Sequence, residues 1–295
     1  MAKRRLMAVA VLITVVSVII ATLEITKRPY AIIDSPDGNI RVTVAVKGET
    51  PQEVFNVYSV EYKGSKIIDD SNLGFTLSEG GYLGRNVEIY AHRTMSFDKD
   101  LKPLSDNISE SIEYFTELTI NLHERIVPFR SYNLIFRIFN DGIAFRAVIL
   151  GAQDIKEIEI LSENTEYKFT DNHSIYFPDL IDPNIPNPAD NRINNLSDIN
   201  SDSDIELPLY CKTENDLYAG ISQVIQAGQP EMRITGDDNN PLLLKTLLMP
   251  TEESQDKKIS GKSPLKTPWR IILISDDPEK LQRSDIIRIL ESSEK

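Results

Sequence analysis

Hydrophobic side chains recur at every second position over most of this chain, a period that fits β-strands and excludes amphipathic helices. The runs are "NIRVTVAV" (39–46), "FNVYSVEY" (55–62), "SKIIDD" (65–70), "LGFTLSE" (73–79), "ESIEYFTELTINL" (110–122), "SYNLIFRIFNDGIAFRAVIL" (131–150), "KEIEIL" (156–161) and "EYKFTDNHSIYFP" (166–178). Turn formers separate them: Pro36-Asp37-Gly38, Lys63-Gly64, Gly80-Gly81 and Asn140-Asp141-Gly142. The last of these, between Phe139 and Ile143, predicts a hairpin whose primed turn uses positive φ. Consecutive strands joined this way are antiparallel. The helical windows are confined to an N-terminal apolar run and "DPEKLQRSDII" (277–287), so the sequence predicts an all-β antiparallel sandwich in one large domain.

The N-terminus carries Lys3, Arg4 and Arg5 ahead of an uncharged stretch from Leu6 to Leu23. Residues 1–24 therefore read as an export signal, a signal peptide or signal anchor. The run is longer than a usual signal core and lacks an Ala-x-Ala site, which favours an uncleaved helix in the membrane. Basic residues on the short N-terminal side stay in the cytoplasm, which sends the rest to the periplasmic or extracellular side.

Charge narrows the partners. With 45 acidic and 32 basic residues and a net charge of −13, the chain repels a polyanion, so no nucleic acid is expected. Cys211 is the single cysteine and reads as a core residue. His92, His123 and His173 are spread without metal-ligand spacing, and no phosphate loop or nucleophile elbow occurs. The segment from Asp179 to Pro208, dense in Asn, Asp, Ser and Pro, reads as a long polar surface loop. Its Asp198, Asp202 and Asp204 lack the spacing of a calcium loop, so no metal is assigned to them.

One tryptophan, Trp269, stands in "KTPWR" ahead of the apolar run Ile271 to Ile274. Pro268 fixes its own φ and biases Thr267 to extended backbone, so the stretch reads as the stiff entry to a strand with the indole packed at the sheet edge.

The order "SPDGNIRVTV" (35–44), "YSVEYKG" (58–64), "SNLGFTL" (71–77), "YFTELTINL" (114–122), "FRIFNDGIAFR" (136–146), "LPLYCKTENDLYAGISQ" (207–223) and "GKSPLKTPWR" (261–270) resembles the N-terminal domain of glycoside hydrolase family 97, over residues 33–291. The resemblance implies a β-super-sandwich of the galactose-mutarotase-like kind. In full-length members it packs on a (β/α)8 barrel that carries the acid and base of α-glycoside hydrolysis, and no part of that barrel is expected in these residues. It also implies a glutamate lent by the sandwich to a calcium ion. Aligned on "LYAGISQ", that glutamate falls at Gln223, at a sheet edge facing the barrel; a neutral amide brings no charge, so no metal ligand and no cofactor is expected here. Calcium belongs only to a complete enzyme. Trp269 and Arg270 are the further candidates for a surface turned to substrate or barrel, with Arg270 either pairing with a carboxylate across that interface or forming an ion pair inside the domain. No catalytic residue is expected, because glycoside hydrolysis needs two carboxyl groups across the scissile bond. The readings are a non-catalytic domain that binds or positions α-glucosides or α-galactosides, one half of a split enzyme whose barrel is a separate chain, and a structural envelope protein without ligand.

Overall fold

The computed structural model describes residues 30–50, 53–97, 114–151, 157–176, 193–213 and 216–293. The expected N-terminal apolar helix and residues 179–192 of the long polar segment lie outside them. Among the described residues no helix is long and apolar enough to cross a membrane.

The chain is all-β, and its strand pairs are antiparallel. A first sheet has the order β1 (Tyr30–Asp34), β2 (Ile40–Lys47), β3 (Phe55–Tyr62), β4 (Ser65–Asn72), β12 (Glu166–Phe169), β17 (Leu243–Met249) and β16 (Glu231–Thr235). A second has β13 (Ser174–Tyr176), β14 (Leu209–Lys212), β15 (Tyr218–Gln223), β20 (Arg270–Ser275), β10 (Gly142–Leu150), β9 (Ser131–Ile138), β8 (Phe115–Glu124) and β7 (Val87–Phe97), with β19 (Leu265–Lys266) also on β10. A small third sheet has β18 (Ile259–Lys262), β11 (Glu157–Glu163), β5 (Phe75–Leu77) and β6 (Gly81–Leu83).

The alternation explains how the first two sheets share a core. On β8 the even positions Leu118, Ile120 and Leu122 are buried, and on β9 Tyr132, Leu134, Phe136 and Ile138 follow the same rule. Tyr58 of the first sheet meets Phe136 and Phe145 of the second, with ring centroids 6.3 and 5.2 Å apart. Cys211 lies in this core, as its isolation in the sequence suggests, and burial pushes its thiol pKa up to about 12.

β20 is buried along its whole length because it has packing on both faces. Ile272 and Ile274 point into the shared core, while Ile271 and Leu273 point outward. Two short helices, α1 (Pro278–Gln282) and α2 (Ile286–Ser292), cover that outer face with Leu281, Ile286 and Leu290. The C-terminal helical window of the sequence, 277–287, is thus divided, with Arg283 closing α1 and Asp285 preceding α2. Asp277 caps α1 by accepting from the Glu279 amide at 2.9 Å.

Two sequence expectations need correction. The hairpin at Asn140-Asp141-Gly142 is present, but none of the three residues has positive φ, so its turn is not primed. The primed turn is at Lys63 and Gly64, with φ of 49° and 82°. What demands glycine at 142 is crowding, since a Cβ there would lie 2.6 Å from the Ile272 carbonyl oxygen. The long polar segment is also not a free loop over its second half. Leu196 and Ile199 are inserted in the core, Asp198 accepts from the amides of Asn194 and Asn195, and Asp204 pairs with Arg233.

Gly142→Ala should force β10 away from β20 and cost about 1–3 kcal/mol. Urea denaturation should show this as a lower midpoint at unchanged slope, and a wild-type midpoint would refute the crowding argument.

Candidate functional site

Gln223 ends β15, and it lies opposite Arg270, which begins β20. Both side chains turn toward the point where the three sheets meet. The Arg270 guanidinium faces the Glu163 carboxylate of β11, with Nε 3.0 and 3.1 Å from the two oxygens and Nη2 2.6 Å from Oε2. Both side chains are 2% exposed, which makes this an ion pair inside the domain rather than one offered to a partner. The Thr165 hydroxyl donates to Glu163 Oε1 at 3.0 Å. Burial works against the Arg270 charge, but Glu163 outweighs it and holds the guanidinium above its ordinary pKa.

The remaining Arg270 donor, Nη1, reaches Gln223 Oε1 at 3.1 Å. That same oxygen accepts from the Met232 amide at 2.8 Å, while Gln223 Nε2 donates to the Met232 carbonyl at 3.0 Å. The side-chain amide thus pairs with both backbone polar groups of Met232 on β16, as a residue of a neighbouring strand would. Below it the Met232 thioether takes the hydroxyls of Tyr167 and Thr246, each at 3.5 Å. Burial, with Glu163 nearby, drives the Tyr167 pKa far up, so the phenol stays a donor.

Gln223 is therefore at a strand end, but β15 is an interior strand between β14 and β20 rather than a sheet edge. Its placement does not fit a calcium ligand. Oε1 already accepts two hydrogen bonds, one from a cation, and a divalent ion there would face the Arg270 guanidinium. Among the described residues no group of three or more His, Cys, Asp or Glu side chains is placed to hold a metal ion.

Trp269 leaves the opposite face of the same strand entry. It is 1% exposed and packs with Phe139, Ala144, Ile271 and the C-terminal helices. Two guanidiniums lie over its ring, that of Arg146 at 4.2 Å and that of Arg137 at 4.9 Å from the centroid. Arg137 is held in turn by Glu117 at 2.9 Å and Ser293 at 3.1 Å. The structure brings Gln223 and Arg270 together and places Trp269 behind them in the outer cluster. Glu163, Tyr167 and Met232 escaped the sequence reading. A β-bulge between Ile160 and Ser162 is the reason for the first, since it turns Glu163 inward against the alternation.

The family comparison now decides the kinship. The family description "Glycosyl-hydrolase 97 N-terminal" matches residues 33–292. The chain belongs to this family. A retaining alpha-galactosidase of Bacteroides thetaiotaomicron is 23% identical over 302 aligned positions, covering 92% of this chain and 42% of that protein. A family 97 enzyme from Pseudoalteromonas sp. strain K8, solved with acarbose, superposes with a TM-score of 0.68 at 21% identity, covering 87% of this chain and 37% of that one. A beta-arabinopyranosidase gives 0.63 at 20% identity, with coverages of 83% and 40%. The chain thus spans about two fifths of the length of these relatives, and the structural likeness at this identity concerns the fold.

Removing the anion from the buried pair should be costly. Glu163→Gln leaves the Arg270 guanidinium without its counter-charge and should destabilise by about 3–5 kcal/mol, whereas Glu163→Leu combined with Arg270→Met should cost less than that single change. Urea titrations of the variants check the order, and equal midpoints for Glu163→Gln and wild type would contradict it.

Proposed function

We propose that this domain is the non-catalytic sandwich lobe of a family 97 α-glycosidase, a galactose-mutarotase-like super-sandwich that positions an α-glucoside or α-galactoside beside a catalytic (β/α)8 barrel. Family membership over residues 33–292 carries the reading. The named activities of the relatives, a retaining alpha-galactosidase and an enzyme that binds acarbose, supply the substrate class.

The chemistry of the chain is in keeping with a supporting role. Glu163, the carboxylate beside Gln223 and Arg270, is paired inside the domain at 2% exposure and so is not presented to a ligand. The end of the second sheet where β15 finishes and β8 turns into β9 exposes Val127 at 77%, Ile225 at 65% and Phe129 at 54%. Apolar side chains at one end of a domain fit a surface that another domain covers, and the barrel, on the same or a separate chain, is the assigned occupant. The basic and apolar N-terminal segment supports export to the periplasmic or extracellular side, with the domain either released from the segment or anchored by it.

The purified chain should release no nitrophenol from 4-nitrophenyl α-glucopyranoside or α-galactopyranoside. Turnover that survives repurification and disappears with a carboxylate substitution would overturn the non-catalytic reading. Gln223→Glu should leave the isolated domain blind to calcium in calorimetry, because one carboxylate is too few ligands for a six-to-eight-coordinate ion. Tight calcium binding by wild type or variant would show that a metal site lies elsewhere in the domain.

A further inference from the structure

At the end of the sheets opposite Gln223, the turns between β1 and β2, β3 and β4, and β9 and β10 meet the β20–α1 connection around a cavity of about 620 Å³. That volume lies within the roughly 300–1,000 Å³ of small-molecule sites. Its walls are tied across the two large sheets. The Asp37 amide donates to Asn140 Oδ1 at 3.0 Å, and the Lys63 ammonium meets Asp276 at 2.8 Å. These two contacts hold the walls of the cavity against each other.

The chemistry of the lining selects what it can hold. Its carboxylates, Asp37, Asp141, Asp276, Asp277 and Glu279, outnumber Lys63, Lys280 and Arg283, which disfavours an anion. A free cation gains little, because most of the acids are already engaged. Asp37 accepts from Ser35 and Asn39, Asp276 from Lys63, Asp277 from the α1 backbone, and Glu279 pairs with Arg283. What is left is a set of unused neutral or donating groups. The Lys280 ammonium, the Tyr114 hydroxyl and the Asn140 amide nitrogen make no hydrogen bond with the described residues. Asp141 Oδ1 is shielded and accepts none, and burial raises the pKa of that carboxyl group against the opposing effect of a Ser284 hydrogen bond. Tyr62 and Tyr114 add aromatic surface.

Donors free of hydrogen bonds within the protein, a shielded carboxyl oxygen and phenol rings around one cavity suit a ligand that both gives and takes hydrogen bonds and carries little charge. We infer that this cavity is a second sugar site, taking a neutral pyranoside at the far end of the domain from the substrate side at Gln223.

The full chain, titrated with methyl α-D-glucopyranoside, methyl α-D-galactopyranoside and maltotriose by saturation-transfer NMR and calorimetry, tests this. At least one glycoside should bind saturably. Lys280→Ala and Tyr114→Ala should each weaken it about fivefold or more, the worth of about one hydrogen bond, with the melting temperature held. Tyr90→Ser, on the exposed strand β7 away from the cavity, should bind as wild type does. Unchanged affinity in both cavity variants overturns the inference, because the sugar then binds elsewhere in the domain. No binding of any of the three glycosides also overturns it, while the positioning role is decided separately by hydrolysis with a family 97 barrel added.

Discussion

The buried pair of Glu163 and Arg270 is the interaction on which the arrangement of this domain turns. Glu163 comes from the small third sheet, Arg270 from the second, and Gln223 carries the contact to Met232 of the first. Desolvating two such ions costs several kcal/mol each, and the cost is met only when geometry is good and the other polar atoms are satisfied. Here both conditions hold. The guanidinium has two-pronged contact with the carboxylate, and Thr165 and Gln223 take up the remaining hydrogen bonds. A network of this kind adds little net stability beyond what apolar packing could give, yet it allows one relative placement of three sheets and penalises others, because any slip strands a charge away from water.

The same strand explains why the domain has two apolar layers. A continuous run from Ile271 to Ile274 would be wasted on a sheet with one wet face, and it is used because α1 and α2 fold back over the outer side. Trp269 then serves as the base of that outer layer. Its ring supports Arg137 and Arg146, which lets two cations approach a mostly apolar cluster, and Arg137 is further neutralised by Glu117.

Much of the fold was legible in sequence because burial follows a period of two. The strands from 40 to 62 and from 115 to 150 stand where the alternation puts them, and the antiparallel hairpins follow from their turn residues. Other elements hid for physical reasons. β7 reads "VEIYAHRTMSF", and it is mostly exposed, so it carries no buried alternation to detect. Leu196 and Ile199 are two apolar residues in a polar segment, too few to show a period although both reach the core. The site was half legible. Gln223, Arg270 and Trp269 were marked by family resemblance, but the inward turn of Glu163 depends on a bulge that shifts parity by one, and Met232 contributes backbone atoms, which sequence does not distinguish.

The two ends of the domain are built on opposite principles, and that difference bears on how a substitution such as glutamine at 223 can persist. At the Gln223 end the side-chain amide is committed internally and fixed by the fold: its nitrogen donates to the Met232 carbonyl while its oxygen accepts from Met232 and Arg270. A carboxylate could keep the two accepted bonds but not the donated one, and would set a lone pair against the Met232 carbonyl. An amide meets all three at once without charge, so at this position local hydrogen bonding favours glutamine over glutamate wherever no metal draws the carboxylate away. At the opposite end the turns are cross-tied but leave Lys280, Tyr114 and Asn140 with donors to spare. Polar side chains paired in the interior fix the scaffold, whereas Asn140 and Lys280 at the opposite end are exposed and bind water, so a ligand could replace that water without breaking a bond within the protein.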